Sequence, residues 1–158
     1  MDFIAELLKL IASLNDHQVD YILIGGAALN VHGLIRATED VDIFVAPIEA
    51  NIERLKAALR GVWDDPCIDE IMASDLCGDY PVIRYGPPHG TLYVDILTRI
   101  GELATYDDLA WESIRVRDVD IRVATPQTLF KLKRGTVRAI DRADAQRLAL
   151  SFDINEED

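Results

Sequence analysis

The stretch Ile24-Gly25-Gly26-Ala27-Ala28-Leu29 and the stretch Arg36-Ala37-Thr38-Glu39-Asp40-Val41-Asp42 decide the fold. The apolar run at residues 21–24 ends at the glycine pair, which predicts a buried strand leading into a tight turn. The second stretch opens a strand-like segment that spans residues 40–45. A strand, a glycine turn, a short helix and a second strand are therefore predicted in this order.

Asp40 and Asp42 lie two positions apart on the second predicted strand, so both carboxylates point to one face. Two ionised carboxylates this close repel each other, and a divalent cation such as Mg²⁺ (or Mn²⁺) offsets that repulsion through the oxygen ligands it prefers. Asp95 offers a third carboxylate within the apolar run 92–97, where an unpaired charge is costly. If the two strands are neighbours, two metal ions held by these acids would activate an attacking oxygen and stabilise a leaving phosphate. We therefore predict that Asp40, Asp42 and Asp95 are catalytic and metal-binding residues.

Gly25 and Gly26 supply the predicted phosphate-binding half of the same site. Glycines after a strand let backbone N–H groups approach a phosphate closely, and the following helix adds the positive end of its dipole. Arg36 and Thr38 lie just before the acids and are placed to contact a triphosphate. Each feature alone has an ordinary explanation: a close-packed turn, solvated acids at a loop edge, or an aspartate bonded to neighbouring amides. One site explains all of them in this order.

These motifs resemble those of the minimal nucleotidyltransferases related to DNA polymerase β, and among them the AbiEii-type nucleotidyltransferases, often found as toxins or in phage-defence modules. The resemblance implies that the glycine pair opens the site of a nucleoside triphosphate (NTP) substrate. It also implies that Asp40 and Asp42 bind metal and that Asp95 completes the site. It covers most of the chain except residues 61–79.

The C-terminal third carries a second part of the resemblance. Residues 125–133 are similar to the family's helix with a phosphate-facing lysine, whose counterpart is Lys133. Residues 138–144 resemble the family's Arg-x-Lys-Asp-x-x-Asp pattern, which implies that Asp141 helps to bind the nucleotide. Ile140 replaces the lysine of that pattern, which leaves this side of the site short of a cation.

The charged residues of this region also have other interpretations. Asp141 and Asp144 share one helix face, so they either serve catalysis, as the resemblance implies, or form salt bridges with Arg138 and Arg142. A group of basic residues either is a solvated helix face or binds ligands, with Lys133 at the nucleotide phosphates and the others at the backbone of an RNA acceptor. Its members are Lys131, Lys133, Arg134, Arg138 and Arg142.

Composition limits the class of protein. The chain has 158 residues, a formal charge of −12 and 49 % apolar residues, as in one ordinary globular domain. The negative charge excludes a protein whose whole surface binds nucleic acid. Cys67 and Cys77 lack zinc-ligand spacing, and no signal peptide or membrane span is recognisable. We predict a soluble cytoplasmic protein with no membrane partner, with one domain at residues 1–154 and a flexible acidic tail at residues 155–158.

The remaining patterns predict an α+β domain in which helices flank a mixed, largely antiparallel β-sheet, and the resemblance implies the nucleotidyltransferase (polymerase β-like) fold. Residues 81–85 and 91–97 are predicted to form a hairpin across a turn rich in glycine and proline. Residues 119–123 alternate as an edge strand would, and residues 106–113 suit a short helix. Further helices are predicted at residues 3–14, 27–32, 47–60 (with Pro47 at its first position), 126–134 (capped by Thr125) and 141–151.

Three functions are consistent with these predictions. The leading one is a Mg²⁺-dependent nucleotidyltransferase that moves a nucleoside monophosphate (NMP) from an NTP to a hydroxyl of an RNA, a protein or a small molecule, in a toxin–antitoxin or defence system with a cognate antitoxin. The alternative is a non-catalytic nucleotide-binding module of a two-component system, which Ile140 and the short chain favour. The third is a metal-dependent phosphohydrolase that uses the same acids.

Overall fold

Strands and helices are mixed along the chain in the computed structural model, which describes residues 2–38, 40–78, 81–89, 92–100, 104–134 and 139–155. The strands are β1 (Tyr21–Ile24), β2 (Asp40–Val45), β3 (Val82–Tyr85), β4 (Tyr93–Leu97), β5 (Arg99–Ile100), β6 (Ala104–Thr105), β7 (Trp111–Val116) and β8 (Val119–Ala124). The α-helices are α1 (Phe3–Asp16), α2 (Gly25–Val31), α3 (Glu49–Val62), α4 (Ala73–Leu76), α5 (Pro126–Arg134) and α6 (Ala139–Phe152). Pro66–Glu70 and Tyr106–Asp108 form short 3₁₀ helices.

The main sheet has six strands in the order β3-β4-β2-β1-β8-β7. The pairs β1–β2, β3–β4 and β7–β8 are antiparallel, whereas β1–β8 and β2–β4 are parallel. All four side chains of β1 are apolar and buried, as expected for a strand inside a sheet covered on both faces. The predicted mixed, largely antiparallel sheet flanked by helices is therefore confirmed.

The helices bury the apolar stripes that their sequences predict. In α1, Leu7, Leu10, Ile11 and Leu14 recur at helical spacing and are at most 1 % exposed. Asp2 caps this helix, since its carboxylate accepts a hydrogen bond from a backbone N–H of the first turn. None of the described helices is long and apolar enough to cross a membrane.

Sequence patterns left residues 61–79 unplaced; residues 61–62 end α3, and residues 63–78 pack beside α3 and the β3–β4 hairpin. Ile68, Ile71 and Leu76 are buried in the core. The ring of Trp63 lies 5.7 Å from that of Tyr85, centroid to centroid. Residues 156–158 of the predicted tail lie outside the described residues.

Three local predictions were wrong. Residues 106–113 do not form one helix, since a 3₁₀ turn is followed by β7. Residues 119–123 belong to β8, which lies between β1 and β7 and is not an edge strand. Pro47 is not the first residue of α3, which begins at Glu49 after Ile48 as N-cap.

Strand β7 was not predicted, because its first three residues do not alternate between apolar and polar. These three residues, which begin with Trp111, are all exposed.

Candidate functional site

The three predicted acids meet at one end of two neighbouring parallel strands. The register of β2 and β4 pairs Asp42 with Asp95 and Asp40 with Tyr93. Ile24, the last residue of β1, pairs with Asp42, so the glycine pair starts directly beside the acids. The strand adjacency that the sequence left open therefore exists, and it brings the acids and the glycine pair together.

An arginine that sequence analysis did not single out contacts two of these acids. Arg84 on β3 donates from Nε to Oδ1 of Asp95 at 2.8 Å and from Nη2 to Oδ2 of Asp95 at 3.0 Å. The same Nη2 donates to Oδ2 of Asp40 at 3.2 Å. This is the fork geometry with which a guanidinium binds carboxylates. The predicted β3–β4 hairpin was the available signal, because one of its registers places Arg84 opposite Asp95.

We call Asp40, Asp42, Asp95 and Arg84 the carboxylate cluster. Its surroundings change the pKa of the Asp42 carboxyl. Burial, a hydrogen bond with the carboxyl of Asp95 and the negative charges of Asp95 and Asp40 raise the pKa of Asp42 from its ordinary value of 3.8 to about 7. The positive charge of Lys133 opposes this rise. Near neutral pH this carboxyl therefore keeps part of its proton, which a bound cation would displace.

The carboxylate cluster has the donor chemistry of a magnesium site. Three carboxylates against one guanidinium leave two negative charges when all are ionised, which one divalent cation would balance. Among the described residues, no three His, Cys, Asp or Glu side chains form a ready-made metal cage. Arg84 instead engages both oxygens of Asp95 and one of Asp40. The residues fit Mg²⁺ or Mn²⁺ in chemistry and charge, with some side-chain rearrangement.

The glycine pair packs against the acids and the loop that precedes them. Gly25 has a φ of +74°, and a Cβ atom there would collide with the carboxylate of Asp42. A Cβ on Gly26 would lie 3.2 Å from Cβ of Thr38 and 3.4 Å from Cγ of Arg36. The helix α2 begins at Gly25 itself, two residues earlier than predicted. Backbone conformation and close packing require glycine at position 25, whereas a side chain at position 26 would be tight against its neighbours; contact of either glycine with a phosphate stays a prediction.

Arg36 and Thr38 hold the loop between α2 and β2. The hydroxyl of Thr38 donates to the carbonyl of Asp40 at 3.0 Å and accepts from the N–H of Asp40 at 3.3 Å. The backbone N–H of Arg36 donates to the side chain of Asn30 at 3.0 Å. Its Nε donates to Oδ2 of Asp144 at 3.1 Å, which links the loop to α6. Both side chains thus lie at the site, where they have protein partners.

Lys133 is buried in a second charged group, which we call the lysine cluster and define as Lys133, Arg36, Asp141 and Asp144. Nζ of Lys133 donates to Oδ1 of Asp141 at 3.2 Å and to Oδ2 of Asp144 at 3.1 Å. The side chains of Lys133 and Asp144 are only 10 % and 3 % exposed. Lys133 is close enough to Asp42 to lower its pKa, but its ammonium group already has two carboxylate partners.

Two of the other four predicted basic side chains lie within the described residues. The side chains of Lys131 and Arg142 are exposed. The side chains of Arg134, Arg138 and Ile140 lie outside the described residues.

A model of a known protein family matches most of the chain. The family described as "Nucleotidyl transferase AbiEii toxin, Type IV TA system" matches residues 6–133. This range is about four fifths of the chain and contains the glycine pair, the three acids and Lys133, but not Asp141. No curated protein sequence matches the chain.

Solved structures with a similar fold include three nucleotidyltransferase-type proteins. A Thermotoga maritima protein classed as a nucleotidyltransferase has a TM-score of 0.53 at 13 % identity, covering 95 % of this chain and 93 % of that one. ANT(2″)-Ia in complex with adenylyl-2″-tobramycin has a TM-score of 0.57 at 10 % identity, covering 92 % and 87 %. An antigenic nucleotidyltransferase-like protein from Paracoccidioides brasiliensis has a TM-score of 0.57 at 15 % identity, covering 91 % and 76 %. At these identities the likeness establishes the fold.

Proposed function

The chain belongs to the AbiEii family of nucleotidyl transferase toxins, and from that premise we propose that it moves an NMP from a Mg²⁺-bound NTP to a hydroxyl group of an acceptor, with release of pyrophosphate. The observation that carries the proposal is the pairing of Asp42 with Asp95 across β2 and β4, with Asp40 two residues away. Three carboxylates at one sheet end provide the charge and the oxygen ligands that phosphoryl transfer through a metal requires.

Asp40, Asp42 and Asp95 would hold the metal. When bound, the metal supplies neutralisation of phosphate charge and activation of the attacking oxygen. Gly25 and Gly26 would contact the phosphates through their backbone N–H groups, because both glycines lie directly beside Asp42 and Thr38. The protein contributes mainly fixed geometry and charge, which are the two terms that dominate catalysis of this kind.

Arg36, Thr38, Lys133 and Asp141 were predicted to contact the nucleotide, and we propose that they act by holding the site together. Arg36 ties the loop before Asp40 to Asp144 on α6, and Lys133 ties α5 to the same helix. Thr38 fixes the backbone of Asp40 through two hydrogen bonds. These contacts fix where the acids lie relative to the C-terminal helices.

The acceptor is proposed as a class only: a hydroxyl of an RNA, a protein or a small molecule. The family description names type IV toxin–antitoxin systems, so we propose that a cognate antitoxin is a partner. ANT(2″)-Ia, which shares the fold, binds the adenylylated small molecule adenylyl-2″-tobramycin. Such a molecule is the type of product that this reaction would yield.

Transfer of label from each α-³²P-NTP to total RNA or total protein, with Mg²⁺, tests the proposal. Asp42→Asn should abolish transfer, because it removes one of the three carboxylates proposed to hold the metal. Asp118→Asn is the matched control, since Asp118 is 96 % exposed in the β7–β8 turn and should keep full activity. Label that appears equally with wild type and Asp42→Asn would rule out this site, and release of free monophosphate alone would indicate a phosphohydrolase.

The second candidate is a non-catalytic nucleotide-binding module, which one observation favours. Arg84 and Lys133 each already contact two carboxylates, so neither cation is free for a triphosphate in the arrangement described. The same assay separates the two candidates when NTP binding is measured in parallel. Tight binding without transfer to any acceptor, and without hydrolysis, would support the module.

A further inference from the structure

Arg84 donates hydrogen bonds to carboxylate oxygens that a metal ion would need as ligands. Its fork contacts both oxygens of Asp95, at 2.8 and 3.0 Å, and one oxygen of Asp40, at 3.2 Å. A guanidinium in this position pairs with the same carboxylates as a divalent cation would, but with one positive charge instead of two. Arg84 lies on β3, an edge strand of the sheet, and its side chain is 55 % exposed.

The surroundings of Arg84 hold it at the rim of the site. The ring centroid of Tyr93 lies 5.2 Å from the guanidinium carbon of Arg84, within the range of a cation–π contact. A Cβ on Gly86 would lie only 3.1 Å from this ring, so the missing side chain leaves room for it. Because Arg84 is exposed, it can leave the acids without opening the core.

We propose that Arg84 is an internal competitor of the metal, whose displacement from Asp95 and Asp40 is required before a divalent cation can bind. This inference rests on the proposed function, because it takes the carboxylate cluster as the metal site. As a consequence, the site needs a higher Mg²⁺ concentration to be half occupied than the same three carboxylates would need without Arg84. Exposed ion pairs are worth little, so a divalent ion with higher charge can replace one.

Binding of Mn²⁺ to the nucleotide-free chain tests the competition without any turnover. The free ion would be measured by electron paramagnetic resonance during titration of the wild type, Arg84→Ala and Arg84→Lys. We expect about tenfold tighter binding for Arg84→Ala, because one opposing positive charge and its three hydrogen bonds are lost. Arg84→Lys should bind with intermediate affinity, because lysine keeps the charge but lacks the fork.

Arg115→Ala is the matched control. Arg115 lies on β7, at the opposite edge of the sheet, and is 61 % exposed. It also contacts two carboxylates, those of Asp120 at 3.1 Å and Asp118 at 3.7 Å. Its replacement should leave Mn²⁺ affinity unchanged. The melting temperature of every variant would establish that each is folded.

The outcomes separate this inference from the proposed function. Equal or weaker Mn²⁺ binding by Arg84→Ala overturns the competition, and weaker binding would mean that Arg84 orients Asp95 for the ion. If neither the wild type nor Arg84→Ala binds Mn²⁺, and Asp42→Asn behaves the same, the metal site and the inference are overturned together. A wild type that binds Mn²⁺ but transfers no NMP overturns the proposed reaction alone.

Discussion

The carboxylate cluster and the lysine cluster both pair aspartates with basic side chains, but they differ in charge balance and in burial. The first has three acids against Arg84, which is 55 % exposed. The second has two acids against two cations, with Lys133 10 % and Asp144 3 % exposed. A buried charge is tolerated only when it is paired, whereas an exposed pair with excess charge can exchange its partner for a ligand. We infer that the first cluster is built to bind ions and the second to hold α5, α6 and the loop before β2 in place.

Lys133→Met should give the largest effect of the changes that separate the two clusters. It leaves Asp141 and Asp144 buried without this cation, which we expect to destabilise the fold by about 3–5 kcal/mol and lower the melting temperature by roughly 10 °C. Thermal unfolding measures this. Lys131→Met is the control, since Lys131 is exposed on the same helix and should change stability by less than about 0.5 kcal/mol. A stable Lys133→Met protein with weakened triphosphate binding would instead make Lys133 the phosphate ligand that the resemblance implies.

Gly25→Ala should give the next largest effect, and it acts on the carboxylate cluster. Alanine must adopt the left-handed backbone of this position and must also displace the carboxylate of Asp42, at a cost of roughly 2–4 kcal/mol. Gly33→Ala is a close control, because Gly33 has a φ of +93° but no atom within 4 Å of an added Cβ. It should cost only about 1 kcal/mol, from the backbone alone. Equal losses in urea denaturation would show that contact with Asp42 adds nothing.

The sequence predicted the strands that carry the acids because their signals are local. The glycine pair, the alternation of Asp40 and Asp42, and an aspartate within an apolar run can each be recognised over a few residues. The apolar stripes of α1 and α3 are equally local. Burial then follows from the pattern itself, without knowledge of the partners.

The partners of the charged side chains could not be predicted in this way. Arg84 meets Asp95 only through the register of the β3–β4 hairpin, which turn composition alone does not fix. Arg36 meets Asp144 across 108 residues of sequence. Lys133 was assigned to a phosphate because the resemblance gives a role but not its neighbours. The contacts of Arg36 and Lys133 with α6 depend on how whole helices pack, which no short motif encodes.

The pH dependence of stability should distinguish the clusters by a smaller effect, seen with Asp42→Asn. The pKa of Asp42 rises from 3.8 to about 7 on folding, so the folded state binds the proton more tightly. Stability from this group is therefore present below about pH 4 and is lost as the pH rises through 7. With EDTA at pH 8, we expect Asp42→Asn to be about 1–2 kcal/mol more stable than the wild type, or roughly 2–8 °C in melting temperature.

This advantage of Asp42→Asn should disappear at pH 4 and shrink when Mg²⁺ is added at pH 8, because the ion then replaces the proton. Asp118→Asn provides the control, since its carboxylate is 96 % exposed and far less desolvated. A difference between wild type and Asp42→Asn that does not change with pH would contradict the assignment of the raised pKa to this carboxyl.

The smallest effect concerns Tyr93, which is 44 % exposed and holds Arg84 through its ring. An exposed cation–π contact is worth about 0.5–1 kcal/mol, so Tyr93→Leu should tighten Mn²⁺ binding about two- to fivefold by releasing Arg84 more readily. Tyr93→Phe keeps the ring and should bind like the wild type. In the Arg84→Ala background Tyr93→Leu should have no further effect, since both changes act on the same guanidinium. A similar gain in both backgrounds would mean that the ring acts on the acids independently of Arg84. Tyr93 and Arg84 would then weaken Mn²⁺ binding by two separate effects.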